Sequence, residues 1–327
     1  MAKGPSLRTS PRPTLTAGAL GAAVLLVQHF APHSSGSHLV ERLSRRTFLN
    51  CRLPNDGDRI EPNTVYLPPP DRHLLVKDGH MLVTKGPREN HYRPAADALF
   101  RSAAAHYGTA VIGVVLTGML HDGTAGLELI KRAGGLAVVQ DPREAEYPSM
   151  PESALSNVPV DYVLPIAEMG ELLTRLVQIP SSGNSNVPEN IKLEAAIAER
   201  VVGTTDEVLR LGKPSTMTCP DCGGALFELR HGKLLRYRCH TGHGFTANAL
   251  PKSTQHSLEE TLWVALRMME ERKNLLTSMA SRGTGLFSVQ QEERIEEIKQ
   301  HINRLREFLL NGVNGSTAVT IPEEEQS

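Results

Sequence analysis

The sequence is poor in cysteine and aromatic residues, has no excess of charge of one sign, and lacks a long hydrophobic run. It contains four cysteines and 4% aromatic residues, and its formal net charge is -1. Without a basic field to attract phosphates, nucleic acid is a poor candidate partner. No apolar run reaches the roughly 20 residues of a membrane span, and Pro11 and Pro13 interrupt the place where a signal peptide has its apolar core. We therefore expect a cytoplasmic protein that neither inserts into a membrane nor binds nucleic acid.

Three of the four cysteines lie close together in the sequence, and the fourth, Cys51, is isolated. This distribution suits a reducing compartment better than a disulfide framework. The cluster reads Cys219-Pro-Asp-Cys222 and, after 16 intervening residues, Cys239-His-Thr-Gly-His243. Three thiolates and one imidazole complete a tetrahedral shell around zinc. We favour His243 over His240 as the fourth ligand, because a ligand adjacent to Cys239 would strain the chelate. The spacing predicts a structural zinc ribbon, and the alternative is three reduced cysteines that bind no metal.

The first half of the chain alternates between short apolar runs and amphipathic stretches. The predicted strands are Ala23–Gln28, Thr64–Leu67, Leu74–Val76, Met81–Thr84, Val111–Thr117, Leu136–Gln140 and Tyr162–Pro165. The predicted helices are Ser37–Arg45, Ala95–Tyr107, Thr124–Ala133 and Glu168–Val177. Fully apolar strands that alternate with amphipathic helices form a mostly parallel sheet covered on both faces. The pattern therefore predicts an α/β domain with a doubly wound, mostly parallel sheet.

Composition divides the rest of the chain. A stretch rich in Ser, Gly and Asn follows Pro180 and marks a boundary. We expect an α/β domain over 1–179, a linker with a helix over 180–213, the zinc ribbon over 214–250, a helical hairpin over 255–313 and a disordered tail over 314–327. The hairpin is predicted from apolar residues at three- and four-residue steps, which are Leu258, Leu262, Ala265, Met269, Leu276 and Met279, then Ile295, Ile298, Ile302, Leu305 and Leu309. We assign these stripes to packing rather than chemistry.

Two polar residues follow predicted strands of the α/β domain. His29 comes directly after an apolar strand, and Asp122 ends the segment GVVLTGMLHDG just before a helix. Open α/β sheets bind ligands outside the carboxyl ends of their strands. Taken singly, His29 reads as a hydrogen-bonded structural histidine and Asp122 as a helix N-cap. Together they also suit a histidine general base whose tautomer is held by a carboxylate.

Four segments carry a resemblance to a known family. They are VLLVQHFAP, RIEPNTVYLPPPDRHLLV, HYRPAADALFRSAA and GVVLTGMLHDGTAGLELIKRAGGLAVVQDPREAEYPSMPESAL, and in order and spacing they resemble the chemotaxis methylesterase CheB over about residues 20 to 178. The resemblance implies a Ser-His-Asp triad that hydrolyses glutamate methyl esters on the cytoplasmic helices of chemoreceptors. It assigns the histidine to His29, the aspartate to Asp122, and an oxyanion-hole N–H to Met119. Leu120 stands where the family usually has glycine.

The sequence departs from the family at the nucleophile. A strand and a G-x-S-x-G-G turn are expected some 25 to 30 residues before the histidine, and no such motif is present. Ser6 is the nearest serine, but no strand precedes it and no Gly-Gly follows it. The composition changes abruptly at about Ala22, as a wrong start or a frame error in the gene would produce. We therefore expect the 327-residue chain to be nearly inactive as a methylesterase.

Two other interpretations stay open. The chain is also compatible with an inactive homologue that binds receptors or other signalling proteins, and with a zinc-ribbon adaptor whose C-terminal helices recruit a partner. The ribbon and helices resemble the tails of stand-alone CheB-like proteins that lack a receiver domain. The sequence upstream of the first twenty codons distinguishes these interpretations from the enzyme.

Overall fold

The computed structural model describes residues 20–29, 36–181, 187–200, 203–231, 234–281 and 286–311. The chain divides into two compact units, of which the first contains residues 1–219 and 224–247 and the second contains residues 220–223 and 248–327. Ser6 and the predicted tail at 314–327 lie outside the described residues. No helix among the described residues has the length and hydropathy that a membrane span requires.

The parallel strands of the first unit form two sheets of three strands. The first sheet has the order β1-β3-β2 and consists of β1 (Val24–Leu25), β2 (Asn50–Arg52) and β3 (Thr64–Tyr66). A hairpin of β4 (His73–Lys77) and β5 (His80–Thr84) follows. The second parallel sheet has the order β6-β7-β8 and consists of β6 (Ile112–Val115), β7 (Leu136–Gln140) and β8 (Tyr162–Leu164).

This arrangement confirms the predicted α/β class and its parallel strands. Within the part of the chain that the structure describes, the parallel strands are split between two sheets instead of forming the single sheet that we expected. Among the described residues β1 pairs with β3 and β6 pairs with β7, and no backbone ladder joins β1 to β6.

Among its described residues, the first unit contains seven α-helices. They are α1 (Ser37–Ser44), α2 (Ala96–Tyr107), α3 (Thr124–Arg132), α4 (Ser149–Asn157), α5 (Ile166–Leu176), α6 (Glu189–Glu199) and α7 (Thr205–Leu211). Helix α2 packs against β4 on one side and α3 on the other. A side chain at Gly126 of α3 would meet Phe100 Cβ at 2.4 Å, so glycine is what allows α2 and α3 to approach so closely. Helix α2 therefore lies at the centre of the domain that carries the site.

The cysteine-containing segment forms a four-stranded antiparallel sheet. Its strands are β9 (Lys213–Thr218), β10 (Ala225–His231), β11 (Leu234–Cys239) and β12 (Gly244–Thr246), in the order β12-β11-β10-β9. All four strands belong to the same compact unit as the α/β domain. On β11, Leu234, Arg236 and Arg238 are buried and alternate with partly exposed residues, as the period of two in a strand requires. This sheet is called the ribbon below.

The second unit consists of two long helices that pack against each other. They are α8 (Leu250–Ala280) and α9 (Leu286–Asn311), and an ion pair of 2.9 Å joins Arg306 of α9 to Glu270 of α8. All five apolar residues predicted on the α9 stripe are buried or partly buried. On α8 the central residues of the stripe are partly buried, whereas Leu258 and Met279 are exposed.

Candidate functional site

A histidine and an aspartate meet where β1 and β6 end. Nε2 of His29 lies 2.7 Å from Oδ2 of Asp122, although 93 positions separate the two residues. The carboxylate is fully buried, and the histidine side chain is 24% exposed. The hydrogen bond that the sequence predicted between these two residues is confirmed. Because a carboxylate accepts hydrogen bonds, Nε2 is the donor in this contact, and in a neutral ring the lone pair lies on Nδ1.

Asp122 is held by the first turn of α2. Its Oδ2 accepts a hydrogen bond of 2.7 Å from the N–H of Ala96, and its Oδ1 accepts one of 3.1 Å from the N–H of Asp97. These amides belong to the first turn of a helix and have no partner within the helix, so they stabilise a negative charge. Gly123 occupies the N-cap position of α3 without a side-chain cap, so the interpretation of Asp122 as the N-cap of α3 is wrong. The carboxylate is oriented by α2 instead.

A second buried carboxyl group supports the first. Asp97 is 3% exposed, and it accepts hydrogen bonds from the N–H of Gly126 at 2.7 Å and from Nδ2 of Asn90 at 2.9 Å. Burial, and next the charge of Asp122, raise the pKa of Asp97 to about 8. Burial and the neighbouring carboxyl group therefore both disfavour a negative charge on Asp97.

An aromatic ring fixes the orientation of His29. The rings of His29 and Tyr92 are stacked with centroids 3.8 Å apart and planes only 4° from parallel. Tyr92 exchanges backbone hydrogen bonds of 2.9 and 3.2 Å with Glu89, so the ring sits on a closed turn. The imidazole is thus held at one edge by Asp122 and on one face by Tyr92.

The loop after β6 presents Met119 at the surface. Met119 is 58% exposed, and among the described residues its N–H has no acceptor. Leu120 has a φ of +69°, in the left-handed region that favours glycine. Its N–H donates to Oγ of Ser149 at 3.0 Å. The loop therefore keeps a glycine-type conformation although the family's usual glycine is a leucine here.

The four predicted metal ligands come together. The ligand atoms of Cys219, Cys222, Cys239 and His243 lie within 4.8 Å of one another and could hold a metal ion. A hydrogen bond with Cys219 is the main cause that lowers the pKa of the Cys239 thiol to about 3. Burial acts in the opposite direction, and His243 also lowers the pKa. The thiolate is the form that binds metals. This donor set of three sulfurs and one imidazole nitrogen fits zinc, and it holds His243 rather than His240, as the sequence predicted.

The roles of Asn90, Tyr92 and Asp97 were not predicted from the sequence. All three residues lie in or next to the segment HYRPAADALF, which belongs to the resemblance described above. The available signal was Asp97, an acidic residue in the first turn of the predicted helix and flanked by apolar residues. Nothing in the local pattern of Asn90 or Tyr92 indicates their contacts, because their partners lie far away in the sequence.

Residues outside the pair also form a buried ionic network. Arg101 of α2 binds the Glu89 carboxylate through both terminal nitrogens. Arg236 of β11 binds Glu194 of α6 through two hydrogen bonds of 2.8 and 3.0 Å. Arg238 completes the network at 3.7 Å from Glu89 and 3.6 Å from Glu194. The network joins the α/β domain, α6 and the ribbon.

A parallel-sheet domain that presents a histidine paired with a buried carboxylate belongs to a class typical of hydrolases in which histidine acts as a base. A family model described as CheB methylesterase matches residues 13–173. A relative from Leptospira interrogans, provisionally named a protein-glutamate methylesterase/protein-glutamine glutaminase, is 40% identical over 161 residues, which are 48% of this chain and 82% of that protein. The Pyrococcus abyssi protein named protein-glutamate methylesterase/protein-glutamine glutaminase is 34% identical over 170 residues, 51% of this chain and 46% of that protein.

The crystal structure of the Thermotoga maritima CheB methylesterase catalytic domain is also similar, with a TM-score of 0.45 and 34% identity over 47% of this chain and 82% of that one. Given its match to the family model and to the Leptospira relative, the chain belongs to the CheB methylesterase family. The family is one of hydrolases, and the resemblance in the four sequence segments is confirmed.

Proposed function

We propose that the α/β domain is a protein-glutamate methylesterase that acts on the methylated cytoplasmic helices of chemoreceptors. The observation that carries the proposal is the 2.7 Å contact between His29 and the fully buried Asp122, in a chain of the CheB methylesterase family. A histidine in this position accepts the proton of a nucleophile, and the carboxylate stabilises the imidazolium that results.

In the proposed reaction, His29, Met119 and a nucleophilic serine each have a separate role. Nδ1 of His29 takes the proton of a serine hydroxyl as its oxygen attacks the carbonyl carbon of the glutamate γ-methyl ester. The N–H of Met119 stabilises the negative charge on the carbonyl oxygen. His29 then returns the proton to the departing methoxide, which leaves as methanol. Water, activated by the same histidine, hydrolyses the acyl-enzyme and restores the serine together with a free glutamate.

The 327 residues contain no G-x-S-x-G-G motif for that serine, and Ser6 lies outside the described residues. Without a nucleophile the histidine can deprotonate only water, so most of the rate is lost. We therefore expect little activity from the 327-residue chain.

The test is methanol release from methylated receptor. We expect near-background release by the 327-residue chain, and turnover by a protein in which an apolar strand and a G-x-S-x-G-G motif are placed ahead of Val24. His29→Ala in that protein should abolish turnover, whereas His38→Ala should not, because His38 is exposed on α1. Robust release by the 327-residue chain that His29→Ala abolishes would contradict the missing nucleophile. Release that survives His29→Ala would contradict the proposed function itself.

For the cysteine cluster we propose zinc in a structural role, as part of a ribbon tail of the kind that stand-alone CheB-like proteins carry. Three thiolates and an imidazole fill a tetrahedral shell and leave no open position for a substrate. When bound, the metal would hold the turns that end in Cys219 and Cys239, where Cys219 N–H already donates to Gly224 and Cys239 N–H to His243.

A further inference from the structure

The turn that carries Tyr92 is attached to the ribbon. The N–H of Asn90 donates to the carbonyl of Gly244 at 2.8 Å, and the N–H of Thr246 donates to Oδ1 of Asn90 at 3.0 Å. Both ribbon residues belong to β12, which begins directly after His243. Asn90 is 5% exposed and has a φ of +48°. Asn90 is thus held from both ends of β12, through its backbone and its side chain.

From Asn90 a chain of hydrogen bonds leads to the catalytic pair. Nδ2 of Asn90 donates to Asp97 at 2.9 Å, the N–H of Asp97 donates to Asp122 at 3.1 Å, and Asp122 contacts His29 at 2.7 Å. Asn90, Asp97 and Asp122 are all buried. Buried hydrogen bonds are costly to leave unmade, so a displacement of β12 is transmitted to Asp97 rather than absorbed by water.

The same turn reaches His29 directly through the stacked ring of Tyr92. The other end of the turn, Glu89, is bound by Arg101 and faces Arg238 of β11. The turn that contacts the ribbon therefore reaches His29 by two routes. Through Asn90 and Asp97 it supports Asp122, which contacts one edge of the His29 ring, and through Tyr92 it contacts one face of that ring.

We infer that the ribbon positions the catalytic pair, and that Asn90 and Tyr92 are the positioning residues through which it does so. The inference rests on the proposed function for its catalytic meaning. Because a misplacement of about 1 Å in a catalytic group costs about 100-fold in rate, loss of either residue lowers kcat. A positioning role predicts that kcat falls while the KM for the receptor changes little.

The test is the NMR spectrum of the His29 ring in the full-length chain with isotope-labelled histidine. The ring signals are identified by their loss in His29→Gln, among the 13 histidines of the chain. Tyr92→Leu removes the stacked ring and should abolish the ring-current shift of the His29 protons, whereas Tyr92→Phe keeps the ring and should preserve it. Asn90→Gly tolerates the positive φ while it removes both side-chain hydrogen bonds, and it should shift and broaden the His29 signals.

The matched control is Asn55→Gly, the same substitution at an exposed residue of the first unit. Circular dichroism establishes that each variant is folded. If Asn90→Gly does not fold, Asn90→Asp replaces it, because it keeps the acceptor for Thr246 and replaces the N–H to Asp97 by a carboxyl oxygen. If neither folds, the Tyr92→Leu and Tyr92→Phe pair decides.

Signals of His29 that stay the same in folded Asn90→Gly and Tyr92→Leu as in Asn55→Gly would overturn the inference. In the protein that turns over, both variants should lower kcat by about 10- to 100-fold. The ring signals are independent of turnover. If methanol release survives His29→Ala while the His29 ring signals change in Asn90→Gly, the proposed function is refuted but the positioning role of Asn90 is not.

Discussion

Glu194 is the residue whose loss should most destabilise the first unit. Its side chain is 2% exposed and accepts two hydrogen bonds from Arg236, while Arg101 and Arg238 lie 3.4 and 3.6 Å away. Glu194→Gln removes the carboxylate that lies within 3.6 Å of all three buried guanidinium groups, those of Arg101, Arg236 and Arg238. Removal of one partner from a buried ion pair costs about 3–5 kcal/mol, because the remaining charge is uncompensated. We expect the free energy of unfolding to fall by that amount.

The matched control is Glu189→Gln on the same helix, whose carboxylate is 86% exposed and pairs with Lys192 at 2.9 Å. An exposed pair of this kind contributes about 0–1 kcal/mol. The assay is urea unfolding in which hydrogen exchange of the β10 and β11 amides is the probe. Tryptophan fluorescence would report on the wrong unit, because the single tryptophan, Trp263, belongs to the second unit. With a urea slope of about 3 kcal/mol/M, Glu194→Gln should lower the midpoint by about 1–2 M. Equal midpoints for the two variants would refute the importance of the network.

Three further predictions concern pH and metal. Burial raises the pKa of Glu89, but Arg101 outweighs burial and lowers the pKa to about 2. The stabilisation that ionised Glu89 gives the fold is present above pH 4.5 and should be lost as the pH falls towards 2. If Glu89→Gln and wild type lose stability equally between these pH values, the prediction is wrong. The pKa of Asp97 is raised to about 8, so its effect on stability is opposite to that of Glu89. The free energy of unfolding should fall as the pH rises from about 4 to 8, because the unfolded chain loses this proton first. Asp97→Asn should reduce that fall, as measured by urea unfolding at about pH 6 and 8. We also expect one zinc per chain by elemental analysis, and Cys219→Ser with Cys222→Ser should remove it; less than about half an equivalent in the unaltered chain would exclude a structural site.

Local pattern was sufficient to predict most elements of the α/β domain. The apolar runs at Leu136–Gln140 and Val111–Thr117 correspond to β7 and β6, and the Asp78-Gly79 turn between β4 and β5 has positive φ at both residues, as a tight hairpin requires. The contact between His29 and Asp122 was predictable because each residue follows an apolar strand, and open α/β sheets bind ligands outside the carboxyl ends of their strands. These features depend only on residues near one another in the sequence or on the geometry of parallel sheets.

The contacts between the α/β domain and the ribbon were not predictable in the same way. Arg236 and Arg238 alternate along β11 with partly exposed residues, and two arginines at such spacing ordinarily indicate a solvated face of a strand. They are buried here because Glu194 and Glu89 neutralise them, and these partners lie 42 and 149 positions away. No local pattern contains information about such pairs. The ribbon was therefore predicted as a separate module, and its attachment to the site was missed.

The polar character of this junction has a physical consequence for the site. Hydrophobic contacts are non-directional and tolerate a shift of one surface against another, whereas Asn90 can satisfy both Gly244 and Thr246 only in one register of β12. A slip of one residue along β12 would also turn its side chains to the opposite face. The ion pairs of Arg236 and Arg238 impose the same restriction on β11. An apolar junction of equal area would hold the ribbon in place but would leave Asp97, and with it Asp122, less well defined.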